Sequence, residues 1–312
     1  MLAALAGGVG AARFLRGLVD VVAPSDVTAI VNTGDDDEFH GLHVSPDLDS
    51  VTYTLAGASN AAHGWGLEGE TFATLDALAR YDVPTWFRLG DKDLATHLFR
   101  SARLRAGIPL SAVTAEITRA WSVGVRLLPM TDDPVRTRIT VRRGPDRVEE
   151  LAMQRWFVGE RSESPVVSVR FDGADHARPA PGVLEALRTA DAIVICPSNP
   201  VISIGPILSV PGIRDALVAR RERVIAISPI VGGAPVKGPA DRLMAPLGMA
   251  VSCVGVARAY AEICGALVID EVDAQLSAAV EAAGVRAIVT DTMMRSVDIA
   301  TALARCTLAA VA

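Results

Sequence analysis

Residues 2–18 read LAALAGGVGAARFLRGL, which joins a short apolar run, a glycine-rich turn and an amphipathic segment. The apolar run has the length of a buried strand, and the bulky residues after the turn recur at helical spacing. Glycines in such a turn, here Gly7, Gly8 and Gly10, allow the backbone N–H groups of a helix N-terminus to approach a phosphate. The pattern therefore predicts a strand, a glycine loop and a helix. It lacks the lysine of a P-loop and the full dinucleotide spacing, so a simple tight turn is the alternative.

Similar apolar runs recur along the chain and alternate with helical patterns. They lie at residues 27–31, 192–196, 224–227, 267–269 and 287–289. Fully apolar strands of this length are typical of a parallel sheet that is covered on both faces. Strands that alternate with helices predict a right-handed, doubly wound α/β architecture.

A different pattern occupies residues 71–170. This region contains two amphipathic helical patterns, near residues 71–80 and 93–105. Its polar-alternating segment 136–142 meets a turn at 143–146, as in a β-hairpin. We therefore predict a nucleotide-binding core formed by residues 1–70 and 171–312. The α+β insertion at 71–170 is expected to pack over the C-terminal edge of the sheet.

The composition excludes several classes of protein. With 312 residues, 50% hydrophobic and 21% charged, the chain can bury a large core and is not disordered. A net charge of −6 argues against a general nucleic-acid binder, which needs a basic face. The apolar runs are far shorter than the roughly 20 residues of a membrane helix, and the N-terminal run lacks the basic residues of a signal peptide. Four widely spaced cysteines without a C-x-x-C pair indicate neither zinc nor disulfides. We expect a cytoplasmic protein without nucleic-acid or membrane partners.

Acidic residues follow the second predicted strand. Asn32-Thr33-Gly34-Asp35 comes directly after it, at the strand end where open α/β sheets bind ligands, and Asp47 and Asp49 follow in the segment SPDLDS. Clustered carboxylates beside a phosphate loop suit Mg²⁺, which takes one or two protein oxygens and fills its shell with substrate phosphate and water. We predict that Asp35 and Asp49 bind metal or substrate, and that Asp36 and Asp37 are solvated acids of the same loop. The alternative is that Asp47 and Asp49 cap a helix.

The segment Arg88-Leu89-Gly90-Asp91-Lys92 opens a predicted helix of mixed charge. Asp91 suits an N-cap, whereas Lys92 near a helix N-terminus opposes the helix dipole and favours an anionic or polar partner. His97, one turn later, is expected to form an internal hydrogen bond rather than to catalyse.

Two later loops follow consecutive predicted strands. Ser198-Asn199-Pro200, with Gly205 further on, offers hydroxyl, amide and backbone donors suited to a nucleobase, ribose or phosphate. Gly232 lies in the second loop, 228–240. Because both loops leave the same end of the predicted sheet, we expect them to form a crevice. Arg13, in the first helix, is a candidate for an anion contact or for a solvated surface position.

Eight blocks of sequence, in this order along nearly the whole chain, resemble the 2-phospho-L-lactate transferase family (CofD/FbiA type) of coenzyme F-420 biosynthesis. The blocks are GGVGAARFL, NTGDD, HGLHVSPDLDS, WGLEGETF, RLGDKDLATH, LLPMTDDPVRT, CPSNPVISIGPIL and SPIVGGAPVKGPA. The resemblance implies a Rossmann-like core whose inserted region contributes to the acceptor pocket. It also implies a transferase that joins a GDP-activated phospholactyl or phosphoenolpyruvyl group to the deazaflavin alcohol Fo and releases GMP.

The resemblance also implies roles for individual residues. Asp35 and Asp49 would ligate Mg²⁺, and Asp49 and Lys92 would lie near Fo. From the chemistry of the reaction, Asp47 is the runner-up for the proton acceptor. Many relatives have arginine where this chain has Lys92, so a bidentate contact would become a single point charge here. The residues assigned to substrate binding are Gly7, Gly8, Gly10, Arg13, Asn32, Thr33, Arg88, Asp91, Ser198, Asn199, Pro200, Gly205 and Gly232.

Two other functions compete with this interpretation. A regulatory protein of the YvcK type, which is similar to the same core, would bind a nucleotide sugar without catalysis. A Rossmann oxidoreductase is disfavoured, because Val31 and Asn32 occupy the strand end where an acidic ribose ligand is expected. We expect a homodimer, the commonest assembly for such chains.

Overall fold

A parallel sheet of seven strands lies at the centre of the computed structural model, which describes residues 1–60 and 64–311. The strands in chain order are β1 (Leu2–Ala6), β2 (Val27–Val31), β3 (Asp37–Phe39), β4 (Leu42–Val44), β5 (Arg126–Pro129), β6 (Arg136–Arg142), β7 (Val148–Ala152), β8 (Val166–Asp172), β9 (Ala192–Ile195), β10 (Val224–Ile227), β11 (Ile230–Val231), β12 (Ala234–Pro235), β13 (Ala266–Asp270) and β14 (Arg286–Thr290). The central sheet has the order β14-β13-β10-β9-β1-β2-β5.

Helices cover both faces of this sheet. In chain order they are α1 (Gly8–Leu18), α2 (Pro46–Leu55), α3 (Ala73–Leu78), α4 (Asp93–Arg105), α5 (Leu110–Ala120), α6 (Val183–Thr189), α7 (Gly205–Ser209), α8 (Ile213–Val218), α9 (Ala240–Met244), α10 (Cys253–Tyr260), α11 (Ser277–Ala282) and α12 (Val297–Ala309). None of the helices in the described ranges is both long and apolar enough to cross a membrane.

Strand β1 shows how the two layers of the core arise. Successive side chains of a strand point to opposite faces, and all five residues of β1 are buried. Ala3 and Leu5 pack in the core that includes α6 and α10, whereas Ala4 and Ala6 pack with α1 and α12. Because both faces are covered, the strand is apolar throughout. The sequence prediction of a doubly wound α/β sheet is therefore confirmed.

The predicted hairpin in the insertion is present, and it belongs to a small antiparallel sheet. Strands β6 and β7 pair in the register Arg138 with Ala152, and β8 pairs along the other edge of β6. The insertion differs from the prediction in one element, because β5 is the edge strand of the central sheet although it lies between residues 71 and 170. Its Leu127 is buried in the same core as β1, which places the strand in the central layer. Residues 61–63 and 312 fall within the predicted core segments but outside the described residues.

Candidate functional site

Loops from three neighbouring strands meet at the carboxyl edge of the central sheet. The hydroxyl group of Ser198, after β9, donates to the carbonyl oxygen of Gly7 at 2.8 Å. The side-chain amide of Asn32, after β2, lies 3.4 Å from the carbonyl oxygen of Ile202. Parallel strands end at a common edge, so these contacts follow from the topology. The structure thus brings the glycine loop, the 32–36 loop and the 196–205 loop together.

Asn32 lies at the centre of a buried group of carboxylates. Its side-chain nitrogen donates to Asp47 Oδ2 at 2.9 Å and to Asp35 Oδ1 at 3.2 Å. Its oxygen accepts from the backbone N–H of Gly34 at 2.8 Å, which fixes the turn after β2. Gln154, in the helical turn that follows β7, lies 3.3 Å from Asp35 Oδ2. Two acids are therefore held close together by neutral amides.

The environment of these two acids opposes their ionisation. Burial raises the pKa of Asp47 to about 6, although hydrogen bonds from Asn32 and Gly8 favour the charged form. Burial and the charge of Asp47 raise the pKa of Asp35 well above its usual range. Within the described ranges neither carboxylate forms a salt bridge. These two buried acids have no counter-charge in the described part of the chain, so a bound cation would favour their ionised forms.

A third buried acid, Asp36, belongs to the same loop. Its Oδ2 accepts from Ser45 Oγ at 2.7 Å and lies 3.0 Å from His43 Nε2, whereas its Oδ1 is buried without a partner among the described residues. The sequence prediction that Asp36 is solvated is wrong, because its side chain is buried against Ser45 and His43. Its neighbour Asp37 is only partly buried, at the start of β3.

Asp49 has a different environment from Asp35 and Asp47. Arg100 lies in α4 and contacts both carboxylate oxygens of Asp49. The distance from its Nη1 to Asp49 Oδ2 is 3.1 Å. Burial lowers the pKa of the guanidinium, and Asp49 outweighs this effect and raises it. Both side chains are almost fully buried. Asp49 is therefore half of a bidentate, buried ion pair.

His97 links this ion pair to a further acid. Arg100 Nη1 lies 3.3 Å from Nδ1 of the imidazole. The other ring nitrogen, Nε2, lies 3.1 Å from Asp93 Oδ2. Tyr53 donates to the other oxygen of Asp93. The internal hydrogen bonding predicted for His97 is present.

Two groups of acidic side chains at this edge offer oxygen donors to a divalent cation. Asp35 and Asp47 are unpaired carboxylates, and Asp36 Oδ1 is a buried oxygen without a partner in the described part of the chain. Hard oxygen donors of this kind are what Mg²⁺ requires. A second group, Asp49 with Asp93 and His97, has ligand atoms within 4.8 Å of one another, but Arg100 already neutralises part of its charge. Arg100 uses one lone pair on each Asp49 oxygen, so each oxygen retains another.

The glycine loop packs against the protein itself. The N–H of Gly8 donates to Asp47 Oδ1 at 2.7 Å, so a carboxylate already lies at the N-terminus of α1. Gly8 has φ of 73°, a conformation that favours glycine. A Cβ on Gly10 would lie 2.2 Å from the carbonyl oxygen of Pro197, and one on Gly7 would lie 2.7 Å from Ser203 Cβ. Close approach of the two loops therefore requires these glycines.

Asp47 and Asp49 do not cap α2, although both lie in its first turn. The helix begins at Pro46, and the side chains of both acids bond to other elements, α1 and α4 respectively. The alternative of simple helix capping is therefore wrong for both residues. Thr33, in the 32–36 loop after β2, is also buried.

The predicted residues of the 198–205 loop have mainly local partners. The Asn199 side chain accepts from the backbone N–H groups of Val201 and Ile202 and so caps the π-helical turn that begins at Pro200. A Cβ on Gly205 would lie 2.8 Å from the ring of Phe171. These contacts fix the loop that faces Asn32.

The Arg88–Lys92 segment contacts the helices beside the acids rather than Asp35 or Asp47. Asp91 accepts from the backbone N–H groups of Ala73 and Thr74 at 2.9 and 3.0 Å, so it caps α3 and not α4. Glu70 accepts from the N–H groups of Lys92 and Asp93 and caps α4 in return.

The two cations of this segment also have local partners. Lys92 Nζ donates to the carbonyl oxygen of Glu68 at 2.7 Å. The guanidinium of Arg88 lies 4.0 Å from the ring centre of Phe72. Both side chains are exposed, and Lys92 is adjacent to Asp93 of the Asp49 group.

Two basic side chains lie beside the first turn of α1. A Cβ placed on Gly64 would lie 2.9 Å from Lys237 Nζ and 3.0 Å from Val9 Cγ1, so the ammonium group and Val9 of α1 border the same small space. Burial lowers the pKa of Lys237, and the positive charge of Arg13 lowers it further. Arg13 and the 228–240 loop were predicted from the sequence, whereas Lys237, Arg100 and Gln154 were not. Of these three residues only Lys237 had a signal in the sequence, because it is a lysine within a glycine- and proline-rich loop.

Gly232, in the same loop, lies away from these cations. It has φ of 58° in the tight turn between β11 and β12, and its N–H donates to Asp273 Oδ2 at 3.0 Å. Its role in the structure is therefore to form this turn.

Comparison with known proteins gives concordant results. A phosphoenolpyruvate transferase of Streptomyces griseus subsp. griseus is 48% identical over 303 residues, which is 96% of this chain and 95% of the relative. One from Thermobifida fusca is 49% identical over 280 residues, 86% of each chain. The crystal structure of BH3568 from Bacillus halodurans, a member of the UPF0052 family, has a TM-score of 0.63 at 18% identity and covers 98% of both chains, which supports the fold. The family model of 2-phospho-L-lactate transferase CofD matches residues 2–306, and the chain belongs to this transferase family.

Proposed function

We propose that the protein transfers a phosphoenolpyruvyl group from a GDP-linked donor to the deazaflavin Fo, giving dehydro coenzyme F-420-0 and GMP. One observation carries the proposal: a glycine-rich helix N-terminus, the cations Arg13 and Lys237 and the buried carboxylates Asp35 and Asp47 lie at one edge of the sheet. A diphosphate needs donors and positive charge, and a metal that bridges it needs carboxylates.

The name of the relatives supports the choice of donor. Proteins that are 43–49% identical to this chain are named phosphoenolpyruvate transferase. A lactyl donor is the alternative that family membership leaves open, because the family model is that of a 2-phospho-L-lactate transferase. Both donors have the same diphosphate and differ only in the three-carbon acid. The proposed diphosphate site would therefore accommodate either donor.

The proposed reaction places few demands on the protein beyond positioning. The hydroxyl oxygen of Fo attacks the phosphorus that bears the three-carbon acid, and the bond from that phosphorus to the oxygen of GMP breaks. The electron pair of that bond leaves with GMP, and the hydroxyl proton passes to a carboxylate or to solvent. Such transfer depends mainly on orientation and charge neutralisation.

The side chains at the sheet edge would perform these tasks. Arg13 and Lys237 would hold the diphosphate beside α1, and Asp47 is the proposed proton acceptor because each of its oxygens retains a free lone pair. A base is not obligatory, because a phosphate is a good leaving group. Lys92 and Arg88 are proposed to contact Fo at the rim of the site.

Asp35 is the proposed principal ligand of Mg²⁺, and Asp49 would contribute the lone pairs that Arg100 leaves unused. Mg²⁺ would neutralise charge on the diphosphate and stabilise the departing phosphate. Asn32 and Gln154 would orient Asp35, since they contact its two carboxylate oxygens at 3.2 and 3.3 Å respectively.

A homodimer in the cytoplasm is the proposed state of the protein. Helix α4 supports this because its outward face is apolar: Ala95, Leu98, Phe99 and Ala102 are exposed at helical spacing. The inward face of the same helix carries the polar residues of the Asp49 group. Acids lie around the N-terminus of α4 and arginines at its C-terminus, so two antiparallel copies related by a two-fold axis would match opposite charges.

Titration with Fo tests the proposed acceptor. A transferase must bind Fo, so we expect saturable quenching of deazaflavin fluorescence, which is weakened by Lys92→Ala. The control is Arg147→Ala, an exposed residue of the hairpin turn. A regulator of the YvcK type would bind a nucleotide sugar and leave the fluorescence of Fo unchanged, and that result would exclude the proposed function.

A further inference from the structure

We propose that a cleft beside the 198–205 loop is a second ligand site, which takes a small apolar acid that also carries a hydrogen-bond acceptor. The cleft has a volume of about 390 Å³, which lies within the range of roughly 300–1,000 Å³ of small-molecule sites. It lies among β8, α7, α8 and α10. None of the described residues that line it is an acid or a cation of the sheet-edge site, so the cleft is separate from the proposed transfer reaction.

Apolar side chains that the protein leaves partly uncovered line this cleft. Phe171, Leu208 and Met249 pack at the margin of the core and are each only partly buried. Leu247, on the segment that follows α9, is 36% exposed. Removal of apolar surface from water is the main driving force for association with such a lining. The body of the ligand is therefore apolar.

The lining also includes a tyrosine whose buried hydroxyl group has no partner. Tyr260 is 2% exposed, and its hydroxyl forms no hydrogen bond with any of the described residues. Most buried hydroxyl groups are hydrogen-bonded, because an unpartnered one loses its bonds with water on folding. Burial raises the pKa of Tyr260 far above its usual range, so the hydroxyl stays protonated and can donate. An acceptor atom on the ligand would supply the missing partner.

Arg214 supplies the positive charge of the cleft and is the only cation in its described lining. Its guanidinium lies 3.3 Å from Glu262, whose side chain is 79% exposed, so the contact is weak and another anion can replace it. The N–H groups of a guanidinium match the two oxygens of a carboxylate. One cation in an otherwise apolar lining therefore selects a monocarboxylate over a ligand with several phosphates.

The cleft borders the loop that takes part in the sheet-edge site. Pro200 and Val201 line the cleft, and the carbonyl oxygen of the next residue, Ile202, lies 3.4 Å from the side-chain amide of Asn32. A ligand in the cleft is thus one residue away from a contact of that site. Because the cleft lining includes none of the acids or cations of the sheet edge, both sites can be occupied together.

Three matched probes test the two polar contacts separately. The first is 3-(4-methoxyphenyl)propionate, which has a carboxylate and an ether acceptor. Its amide lacks the charge, and 3-(4-ethylphenyl)propionate lacks the acceptor. We expect the wild-type protein to bind the first probe with a Kd of about 1 mM or lower in saturation-transfer NMR, and each of the other two about three- to tenfold more weakly. Addition of GDP should leave the signal of the first probe unchanged.

Two variants assign each preference to its side chain. Arg214→Gln should abolish the preference for the acid over its amide and keep the preference for the methoxy group. Tyr260→Phe should do the opposite, and it should fold normally because it removes only an unpaired hydroxyl group. Arg147→Gln, at an exposed residue of the hairpin turn, is the control and should change neither preference.

Equal affinity of the wild-type protein for the three probes, or binding of none of them, would overturn the inference. Preferences that persist in both variants would also overturn it. Displacement of the first probe by GDP would place that probe in the donor site and contradict a separate cleft. None of these results bears on the transferase function, which the fluorescence titration with Fo tests independently.

Discussion

At the scale of single residues, the Asp49–Arg100 pair determines how substitutions in this site must be interpreted. Removal of one partner of a buried ion pair costs about 3–5 kcal/mol, because the other charge remains buried, whereas replacement of both is often nearly neutral. We expect Asp49→Asn and Arg100→Met each to lower the free energy of unfolding by about 3 kcal/mol in urea. The double variant should lose less than the sum of the two.

Strictly additive losses would contradict the coupling of Asp49 to Arg100. The result also bears on catalysis. A loss of activity in Asp49→Asn alone does not demonstrate metal binding, because the variant leaves the guanidinium of Arg100 without its counter-charge. Comparison of activities at equal folded fraction, with and without added Mg²⁺, separates the two effects.

Asp47 predicts a dependence of stability on pH. Its pKa of about 6 in the folded protein exceeds the value of about 3.9 for an unfolded chain, so the folded state binds more protons between these values. The contribution of Asp47 to stability is therefore largest below pH 4 and is lost as the pH rises through 6. Asp47→Asn should remove this dependence, so its melting temperature relative to the wild type should be higher at pH 7.5 than at pH 5. A difference that does not vary with pH would mean that Asp47 ionises normally.

At the scale of elements, the glycine loop and the loop after β9 are fitted to each other. Gly10→Ala would place a methyl group 2.2 Å from the carbonyl oxygen of Pro197, a backbone atom that cannot move alone. We expect a loss of about 1–3 kcal/mol in unfolding free energy, as in overpacked cores. Gly144→Ala is the matched control, because its Cβ would meet nothing closer than 3.9 Å. Equal stability of both variants, measured by denaturation, would show that the loops are not in close contact.

The sequence predicted elements whose signal is local. The apolar runs predicted the strands of the central sheet, and the alternating segment 136–142 predicted the hairpin. Strand β5 was assigned to the insertion, because four residues within a region of different pattern do not show which sheet they join. Helix α4 was predicted with its observed bounds, but the residue that caps it was not. The N–H group of Lys92 donates to Glu70, which lies 22 residues earlier in the chain.

The candidate site was predictable only in part for the same reason. Glycines at a strand end and acids after β2 are visible in sequence, so their common edge was expected. Pairing across long separations was not, because no local pattern links Asp49 to Arg100, 51 residues away, or Asp35 to Gln154, 119 residues away. Tertiary packing alone determines which acid has a cation and which does not.

At the scale of the whole molecule, α4 predicts self-association. Leu98 is 57% exposed in the apolar outward face of the helix. We expect a dimer in light scattering coupled to size-exclusion chromatography, and a monomer for Leu98→Glu, because a charge would be buried without a partner. Val148→Glu is the control at a site of similar exposure, 55%, on β7. A monomeric wild type, or a dimeric Leu98→Glu variant, would contradict the proposed interface.

The central claim is the transfer of a three-carbon acid with its phosphate to Fo. The most direct test is mass spectrometry of the products formed when the protein is incubated with Mg²⁺, Fo and the GDP-linked enolpyruvyl donor, with the lactyl donor in a parallel reaction. We predict dehydro coenzyme F-420-0 and GMP in equal amounts from the enolpyruvyl donor. Unchanged Fo with both donors, or release of GDP in place of GMP, would contradict the account.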